Sequence, residues 1–565
     1  MTESGVKIRY GDVAPEAKEN FVPTTSDKVG FVNLAQLQQY NLQFPNYANP
    51  CEYGSVLLDS TAAVFPANPA GENMGLWSSS VSGADGSFAN PIVLTLESDG
   101  QYSSQGFTLT FDTYNNIFCN SLNIKWYRNG EQLESADFQP DSAFYFCRKQ
   151  VQNYDKVVFT FYSLNMPYNR LKLRVIDYGY GTFFYGGELR SVKVIQEIDP
   201  ISSEIAINTV DFTLDSRSDM EYSFQSKQPL SVYFNGVLRA TTFVTKSKRR
   251  AAKQWEVNSE DYIGMLDKIT FLGGMYTDQN AAALLESMFT QAKIPYSIGA
   301  SLSGKTVTGY IPICTCREAL RQICFAIGAA ADTTNSDTVN IYELSDDIAH
   351  NIPLSQIRQG QSFDDGERVT EVQLTQHTYK KITETAEAYS AAESGTGENI
   401  LAKFSEPLYD LTISRGTITA SGANYAIITA NTGCVLSGKR YEDNTTVKSM
   451  RNPVISASDL ENVVEITDAT LVTAGNADAV LQKAYQYLVK TNRVNLSIIE
   501  GRGRIKYGAF KYGQAKYGQW VHDAPVNVGE VITASTEYLG DLTGRVISER
   551  FNLNGGIIIK ECEMA

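Results

Sequence analysis

Pro229-Leu-Ser-Val-Tyr-Phe-Asn-Gly-Val-Leu-Arg239 contains two apolar runs on either side of Asn235-Gly236, and this pattern indicates the fold class. Both central residues of a type I′ turn need a positive φ angle, and Asn-Gly pairs adopt it readily. The stretch therefore predicts a β-hairpin. Strand signals continue from it to about Phe271, so the hairpin belongs to a larger β region.

A second hairpin is predicted upstream. Leu122, Ile124 and Trp126 alternate with polar residues and lead into Asn129-Gly130, another turn of the same type. The alternation recurs at 157–161 and 171–175, with no helical pattern between these runs. Several short strands at this spacing favour a β-sandwich of about 130 residues, which we assign to 47–178.

Three segments carry the apolar spacing of amphipathic helices. The first, 277–293, stops before Pro295; the second, 316–329, opens with the capping box Thr315-Cys-Arg-Glu318; the third, 476–490, has Asn476 as its cap. The region 346–475 is β-like and contains an exposed polar loop at 390–398. The chain is therefore predicted to be mainly β and multidomain, with small α/β insertions.

Length, charge and cysteine content limit the classes of protein to which the chain can belong. A chain of 565 residues implies about three to five domains. Its net charge of −15 argues against a protein that binds duplex nucleic acid, which needs a positive footprint. No apolar stretch of about 18 residues and no secretory h-region occurs, so no membrane segment is expected. Eight scattered cysteines are too sparse for a disulfide scaffold and are expected to be reduced.

The sequence offers little for catalysis. It has three histidines far apart, and it lacks the G-x-S-x-G, H-E-x-x-H, EF-hand and C-x-x-C motifs. A glycosidase would need two opposed carboxylates, and nothing in the sequence selects such a pair. We therefore expect no enzyme activity, no catalytic residue, no metal site and no cofactor.

The predicted sandwich carries the residue types of a carbohydrate site. Sugar rings stack on aromatic side chains, and polar side chains bond their hydroxyl groups. Core packing explains the two tryptophans equally well, because buried aromatic residues dominate cores by area. The candidate glycan-binding residues are Trp77, Tyr102, Trp126, Tyr127 and Arg128.

Two basic runs contrast with the acidic average. One is Lys246-Ser-Lys-Arg-Arg250 with Lys253, and the other is a Lys-Tyr-Gly repeat near the C-terminus. Basic residues interleaved with aromatic ones can hold single-stranded nucleic acid. We favour a different interpretation, in which each run is a solvated loop or a subunit contact against an acidic neighbour. The repeat supplies the candidate interface residues Lys506, Tyr507, Lys511, Tyr512, Lys516 and Tyr517.

The order of three segments resembles phage tail hub proteins, the baseplate hub and tail-tip family of tailed phages and related contractile injection particles. The first segment is 197–205 leading to 261–267, similar to the end of the first hub β-domain. The second, 308–322, is a strand that feeds a helix, as in hub helical subdomains. The third, 528–536 with 542–556, is similar to the closing β-barrel.

The resemblance implies a homotrimer in which two tube-like hub β-barrel domains per subunit form a pseudo-sixfold ring. It also implies a non-enzymatic structural hub that closes the tail tube in the virion tail, at the baseplate or tip, after assembly in the host cytoplasm. The implied partners are the tail tube or distal tail protein, the tape-measure protein, tip spike or fibre proteins, and DNA only in transit through the lumen. Any cell-wall-cutting activity is expected to come from another protein, since the chain ends directly after the barrel.

Residues 51–178 are not part of the usual hub pattern. They look like an appended galactose-binding or discoidin-like sandwich, which would face surface glycans. The alternative function is a carbohydrate-binding adhesin that presents this sandwich. The expected divisions are an N-terminal arm at 1–46, the galactose-binding-like sandwich at 47–178, a first hub β-domain at 179–272, an α/β subdomain with two helices at 273–345, a second hub β region with one helix at 346–493, and a closing β-barrel segment at 494–565.

Overall fold

The computed structural model describes residues 5–30, 32–38, 75–113, 115–217, 222, 224–454, 461–505, 517–522, 526–538, 540–553 and 557–565. Strands far outnumber helices, so the predicted mainly β, multidomain fold is confirmed. The chain divides into two compact units. The sandwich unit is Arg9–Phe183, and the hub unit combines Met1–Ile8 with Phe184–Ala565.

The elements up to Tyr185 are mostly strands. They are β1 Val6–Val13, α1 Pro15–Asn20, β2 Val22–Thr24, β3 Leu76–Val81, β4 Ser87–Thr110, β5 Cys119–Arg128, β6 Glu131–Phe138, β7 Phe144–Leu164, β8 Arg170–Leu173, β9 Val175–Asp177 and β10 Gly179–Tyr185.

The sandwich unit is built around one sheet in the order β2-β4-β7-β5-β6, with β9 also on β4 and a separate small sheet of β3 and β8. The predicted turn is present, since Asn129 and Gly130 have φ angles of 50° and 83° between β5 and β6. Apolar residues of alternate positions, such as Phe159 and Phe161, form its core. The core also contains a buried charge cluster in which Arg9 and Lys18 both bond the Asp177 carboxylate.

The remaining elements belong to the hub unit. They are β11 Leu189–Glu197, β12 Thr209–Asp215, β13 Pro229–Phe234, β14 Val237–Ala251, β15 Gln254–Glu260, α2 Tyr262–Leu266, β16 Thr270–Phe271, β17 Gly274–Asn280, α3 Ala281–Ala292, β18 Tyr296–Ile298, β19 Thr306–Ile311, β20 Cys314–Thr315, α4 Cys316–Ile327, β21 Ala330–Asp332, β22 Val339–Tyr342, β23 Ile348–Ile352, β24 Ile357–Asp364, β25 Glu371–Ser390, α5 Ala391–Ser394, β26 Gly397–Lys403, β27 Leu408–Ser421, β28 Tyr425–Arg451, β29 Val463–Ile466, α6 Ala477–Leu488, β30 Arg493–Ile505, β31 Tyr517–His522, β32 Val531–Thr536, β33 Gly540–Asn552 and β34 Ile557–Met564.

The main sheet of the hub unit runs in the order β13-β14-β15-β12-β11-β33-β34-β30-β24. Its first five strands come from 189–260 and its last four from 357–564, and the two groups join where β11 pairs with β33. The central register pair is Ile195 with Arg550. The sheet therefore joins strands of the predicted first hub β-domain to strands of the predicted closing segment and, at its far end, to β24 of the predicted second hub β region.

The three predicted helices are present, but the first begins at Ala281 and not at Thr277, because 277–280 form the end of β17, which pairs with β19. Asn280 caps α3 by accepting a hydrogen bond from the Ala283 N–H group. The Thr315 hydroxyl accepts from the Glu318 N–H group at the start of α4, as the capping box predicts, and Gly328 ends the helix with a φ angle of 73°. The sequence analysis missed the short helices α1, α2 and α5, because four to six residues carry no measurable apolar period.

The region predicted to be β-like, 346–475, contains a sheet of long strands in the order β26-β28-β25-β29, with β27 also on β28. The polar interruption at 390–398 is largely exposed, and part of it forms α5. Asn424 anchors this sheet to the α/β subdomain, since its buried side-chain amide donates to the carbonyl groups of Leu272 and Ile311, each at 2.8 Å. The described cysteines are free thiols, as expected, and most are buried.

Candidate functional site

One face of the main hub sheet is largely polar from β14 to β24. A row of register partners crosses five strands as Lys246, Asn258, Asp211, Lys193 and Asn552, and it passes the junction between the two halves of the chain. Successive strand residues point to opposite faces, so these partners share one face. The polar face therefore continues across β11 and β33.

The polar face continues to the far edge of the sheet. A second row runs through the register partners Arg550, Glu561, Ser497 and Arg358, from β33 to β24. Ile195, the register partner of Arg550 on β11, is half-buried and is the apolar residue where the two rows meet. Two rows of exposed or half-buried polar side chains thus cover strands from both halves of the chain.

Charges on the polar face are paired between neighbouring strands. The Arg250 guanidinium lies 2.7 Å from the Glu256 carboxylate, and its hydrogen bond lowers the pKa of Glu256. Arg550 reaches Glu197 at 3.4 Å across the β11–β33 junction. Exposed pairs of this kind contribute little stability because water screens their attraction. Their main effect is to keep the surface hydrated while the paired charges largely cancel.

The opposite face of the same sheet packs into the core, where Val257, Phe212 and Val192 are register partners. This face also buries one ion pair. The Lys560 ammonium lies 3.0 Å from the Glu549 carboxylate, and both side chains are almost fully excluded from solvent. Lys560 also donates to the Val526 carbonyl group, so two acceptors compensate its buried charge.

The structure places the two candidate tryptophans in the core of the sandwich unit. Trp126 is fully buried and stacks on Phe107 with ring centroids 6.2 Å apart. Trp77 is 1% exposed, and the Lys172 ammonium lies 4.6 Å from the centre of its ring. Neither indole has a face open to a sugar ring, so a glycan site in this unit would depend on the other three candidates.

A polar cleft of about 490 Å³ opens on the sandwich unit near those three residues. Its walls come from α1, β2, β4, β7 and the turn after β5, and they carry carboxylate, amide and hydroxyl groups. The lining residues are Asn20, Val22, Glu97, Ser98, Asp99, Gly130, Asp155 and Lys156. None of them was predicted from the sequence as a site residue, because they come together only when β4 and β7 pair.

Tyr102, Tyr127 and Arg128 do not line this cleft, but each contacts or adjoins a residue that does. The Tyr102 hydroxyl accepts a 2.6 Å hydrogen bond from the side-chain amide of Asn20. Tyr127 is the register partner of Lys156, and the residue after Arg128 donates its N–H group to the Asp155 carboxylate at 2.7 Å. Each of these three candidates therefore adjoins a lining residue of the cleft, whereas the two tryptophans lie in the core.

Most of the predicted basic repeat lies outside the part of the chain that the structure describes. Of the basic repeat, Lys506, Tyr507, Lys511, Tyr512 and Lys516 lie outside the described residues, and Tyr517 is the first residue of β31.

The described part of the chain contains no group of three or more metal-ligating side chains positioned to hold an ion. Among the same residues, no helix is both long and apolar enough to cross a membrane.

Comparison with known proteins gives structural matches alone. No family model and no curated protein matches the chain. A 43 kDa tail protein of prophage MuSo2 from Shewanella oneidensis is similar over 68% of this chain and 95% of its own, with 11% identity and a TM-score of 0.42. A tail protein from Neisseria meningitidis MC58 is similar over 68% of this chain and 93% of its own, with 10% identity and a TM-score of 0.38.

A third similar structure is the E. coli c3393 protein, a component of the type VI secretion system. It matches 67% of this chain and 73% of its own, with 6% identity and a TM-score of 0.32. At TM-scores below 0.5, these likenesses carry no argument about function. The solved structures nevertheless belong to the class that the three sequence segments predicted, tail proteins of phages and parts of related injection particles.

Proposed function

We propose that the chain is a structural, non-enzymatic hub protein of a phage tail or related injection particle. The observation that carries the proposal is the main hub sheet, which joins strands from two distant parts of the chain and presents one continuous polar face. A wall of this kind, packed on one side and hydrated on the other, suits the lining of a ring. Paired charges on that face would let tape-measure protein, and then DNA, pass without tight binding.

In this proposal three copies form the ring that closes the tail tube, at the baseplate or tip of a virion tail assembled in the host cytoplasm. The tube or distal tail protein would contact one side of the ring, and a tip spike or fibre protein the other. Three copies of the 62.4 kDa chain give a particle of about 187 kDa.

Native mass spectrometry of the purified full chain, followed by negative-stain imaging, tests this assembly. A particle of about 187 kDa, three times 62.4 kDa, with a central hole is the expected result. A chain that stays monomeric over the whole concentration range, and that also fails to join a tail assembly, would contradict the proposal.

A second function concerns the sandwich unit, because three of the candidate glycan-binding residues adjoin lining residues of its polar cleft. Carboxylate and amide groups bond sugar hydroxyls, and the half-buried Tyr102 and Tyr127 rings offer apolar faces beside them. We propose that this cleft binds surface glycans, either within a hub or in a carbohydrate-binding adhesin.

A glycan array with the full chain tests this second function. The variant Tyr127→Ala with Arg128→Ala should lose at least tenfold in glycan affinity. The control Tyr162→Ala removes a surface tyrosine of the same unit that is 40% exposed, and it should bind normally. Equal binding by both variants, or no binding by the wild type, would contradict a glycan site in the cleft.

A further inference from the structure

The polar cleft of the sandwich unit has an excess of negative charge. Three of its eight lining residues carry carboxylates, Glu97, Asp99 and Asp155, and Lys156 carries the one cation among the described lining residues. Lys156 on β7 is the register partner of Glu97 on β4, and its ammonium lies 2.6 Å from that carboxylate. The charges of this pair cancel, so two negative charges remain at the cleft.

Asp99 and Asp155 supply the two remaining charges. Asp99 is exposed where β4 is irregular, and it forms no hydrogen bond or ion pair with any residue that the structure describes. Asp155 is half-buried and accepts from the Asn129 N–H group at 2.7 Å through one carboxylate oxygen, which leaves the other oxygen without a donor in the described chain. Arg128 does not line the cleft and forms no salt bridge within the part of the chain that is described. The cleft therefore presents free acceptor oxygens, while its lining cation is already paired.

These acceptor oxygens determine which glycans suit the cleft. An ionised carboxylate accepts hydrogen bonds and donates none, so it can bond a sugar hydroxyl, and it bonds an ammonium group more strongly because that interaction is charge-assisted. A sulfate, phosphate or carboxylate group on a glycan would meet two unpaired charges of its own sign. Val22 lines the cleft at 62% exposure and offers an apolar contact to the carbon atoms of a sugar ring. The arrangement favours a sugar that is itself positively charged.

Resting on the proposed glycan-binding function, we propose that the cleft selects glycans with protonated amino groups, such as glucosamine units that lack the N-acetyl group, and rejects acidic glycans. Asp99 and Asp155 determine this specificity by pairing with the ammonium groups. A basic peptide has the same charge, but it lacks the ring hydroxyl groups that the Asn20 amide and the Ser98 hydroxyl in the same cleft can bond, so the amino sugar fits better.

Two oligomers that differ in one group per sugar test the selectivity. They are the β-1,4-linked hexamers of glucosamine and of N-acetylglucosamine, whose amino groups are charged in the first and acetylated in the second. Calorimetry with the full chain measures the binding of each at low ionic strength and about pH 5.5, where carboxylates of ordinary pKa are ionised. The glucosamine hexamer should bind about tenfold more tightly, because charge-assisted hydrogen bonds are the stronger ones. Added salt should weaken the binding of this hexamer.

Removing the two charges should remove the preference. The double variant Asp99→Asn with Asp155→Asn keeps the shape of both side chains, and the amide oxygen at 155 can still accept from the Asn129 N–H group. It should bind the glucosamine hexamer about tenfold more weakly, because two charge-assisted contacts are lost. The matched control is Asp137→Asn with Asp141→Asn, two exposed aspartates near the end of β6 that do not line the cleft. The control changes the net charge equally and should bind as the wild type does.

The variant Lys156→Gln changes the charge of the cleft in the other direction. It releases Glu97 from its ion pair, so a third unpaired carboxylate lines the cleft, and the glucosamine hexamer should bind about threefold more tightly. A purely structural role of these residues predicts a loss of binding in every variant, whereas selection by charge predicts a gain in this one.

The outcomes separate the inference from the proposed function. If the wild type binds both hexamers equally, prefers acidic glycans, or loses no more affinity in the double variant than in the control, selection by charge is refuted while glycan binding stands. If the wild type binds no glycan, both fail. If a lysine hexapeptide binds as tightly as the glucosamine hexamer, the cleft is a site for a basic peptide and the inference is overturned.

Discussion

Replacing Lys560 by methionine should destabilise the hub unit strongly. The substitution keeps an unbranched side chain of similar length but removes the Lys560 ammonium from beside the Glu549 carboxylate, which is fully buried at 0% exposure. Breaking a buried ion pair by removing one partner costs about 3 to 5 kcal/mol, because the remaining charge is uncompensated. The Val526 carbonyl group also loses a donor, which adds to the penalty.

Hydrogen exchange of the full-length chain, followed by mass spectrometry, measures this effect locally. Amides of β30, β33 and β34 should exchange roughly 100 to several thousand times faster in the variant, since every 1.4 kcal/mol is about a factor of ten. Adding Glu549→Leu should return exchange to near the wild-type rate or slower, because an apolar pair of similar volume often replaces a buried ion pair without loss. Exchange in Lys560→Met within threefold of the wild type would refute the reasoning.

Three further predictions concern pH and backbone conformation. Although burial opposes ionisation, the two cations beside Asp177 lower the pKa of its carboxyl group to about 2, so the stability it contributes is present above about pH 4 and lost as the pH falls to 2; the near-UV circular dichroism of the sandwich unit should decrease over that range. Burial raises the pKa of Asp261 to about 6, so its contribution is fully present below about pH 4 and lost as the pH rises through 6; protection of the α2 amides, corrected for intrinsic exchange, should fall accordingly. Gly309→Ala should lower the melting temperature, because φ is +137° and an added Cβ would lie 2.6 Å from the Thr470 carbonyl oxygen, whereas Gly304→Ala, with open space around it, should not.

Local features of the fold were predictable because neighbouring residues determine them. The turn at Asn235-Gly236 has φ angles of 50° and 82°, as the residue pair requires. The helix that begins after Thr315 follows from one hydroxyl and the glutamate three residues later. Chain segments of two to twelve residues contain all the information for these elements.

The arrangement of strands was not predictable from the same patterns. Val194 pairs with Phe551, and nothing in either sequence neighbourhood selects the other. The long strands β25 and β28 likewise pair over most of their length through a register that depends on tertiary packing. Period-2 alternation shows that a strand has one apolar and one polar face, but it does not show which other strands pair with it.

Trp126, which we expected to bind glycans, shows what the alternation of apolar and polar residues already indicated. Trp126 has the same parity on β5 as Leu122 and Ile124, so the pattern that predicted the strand also places its indole on the apolar face, and the structure buries all three. Tyr127 has the opposite parity and stays half-exposed beside the cleft. Parity on a strand, considered before residue type, would have separated the aromatic residues that fill the core from those available to a ligand. The same reasoning, applied across paired strands, identifies the polar face on which the proposed hub function depends.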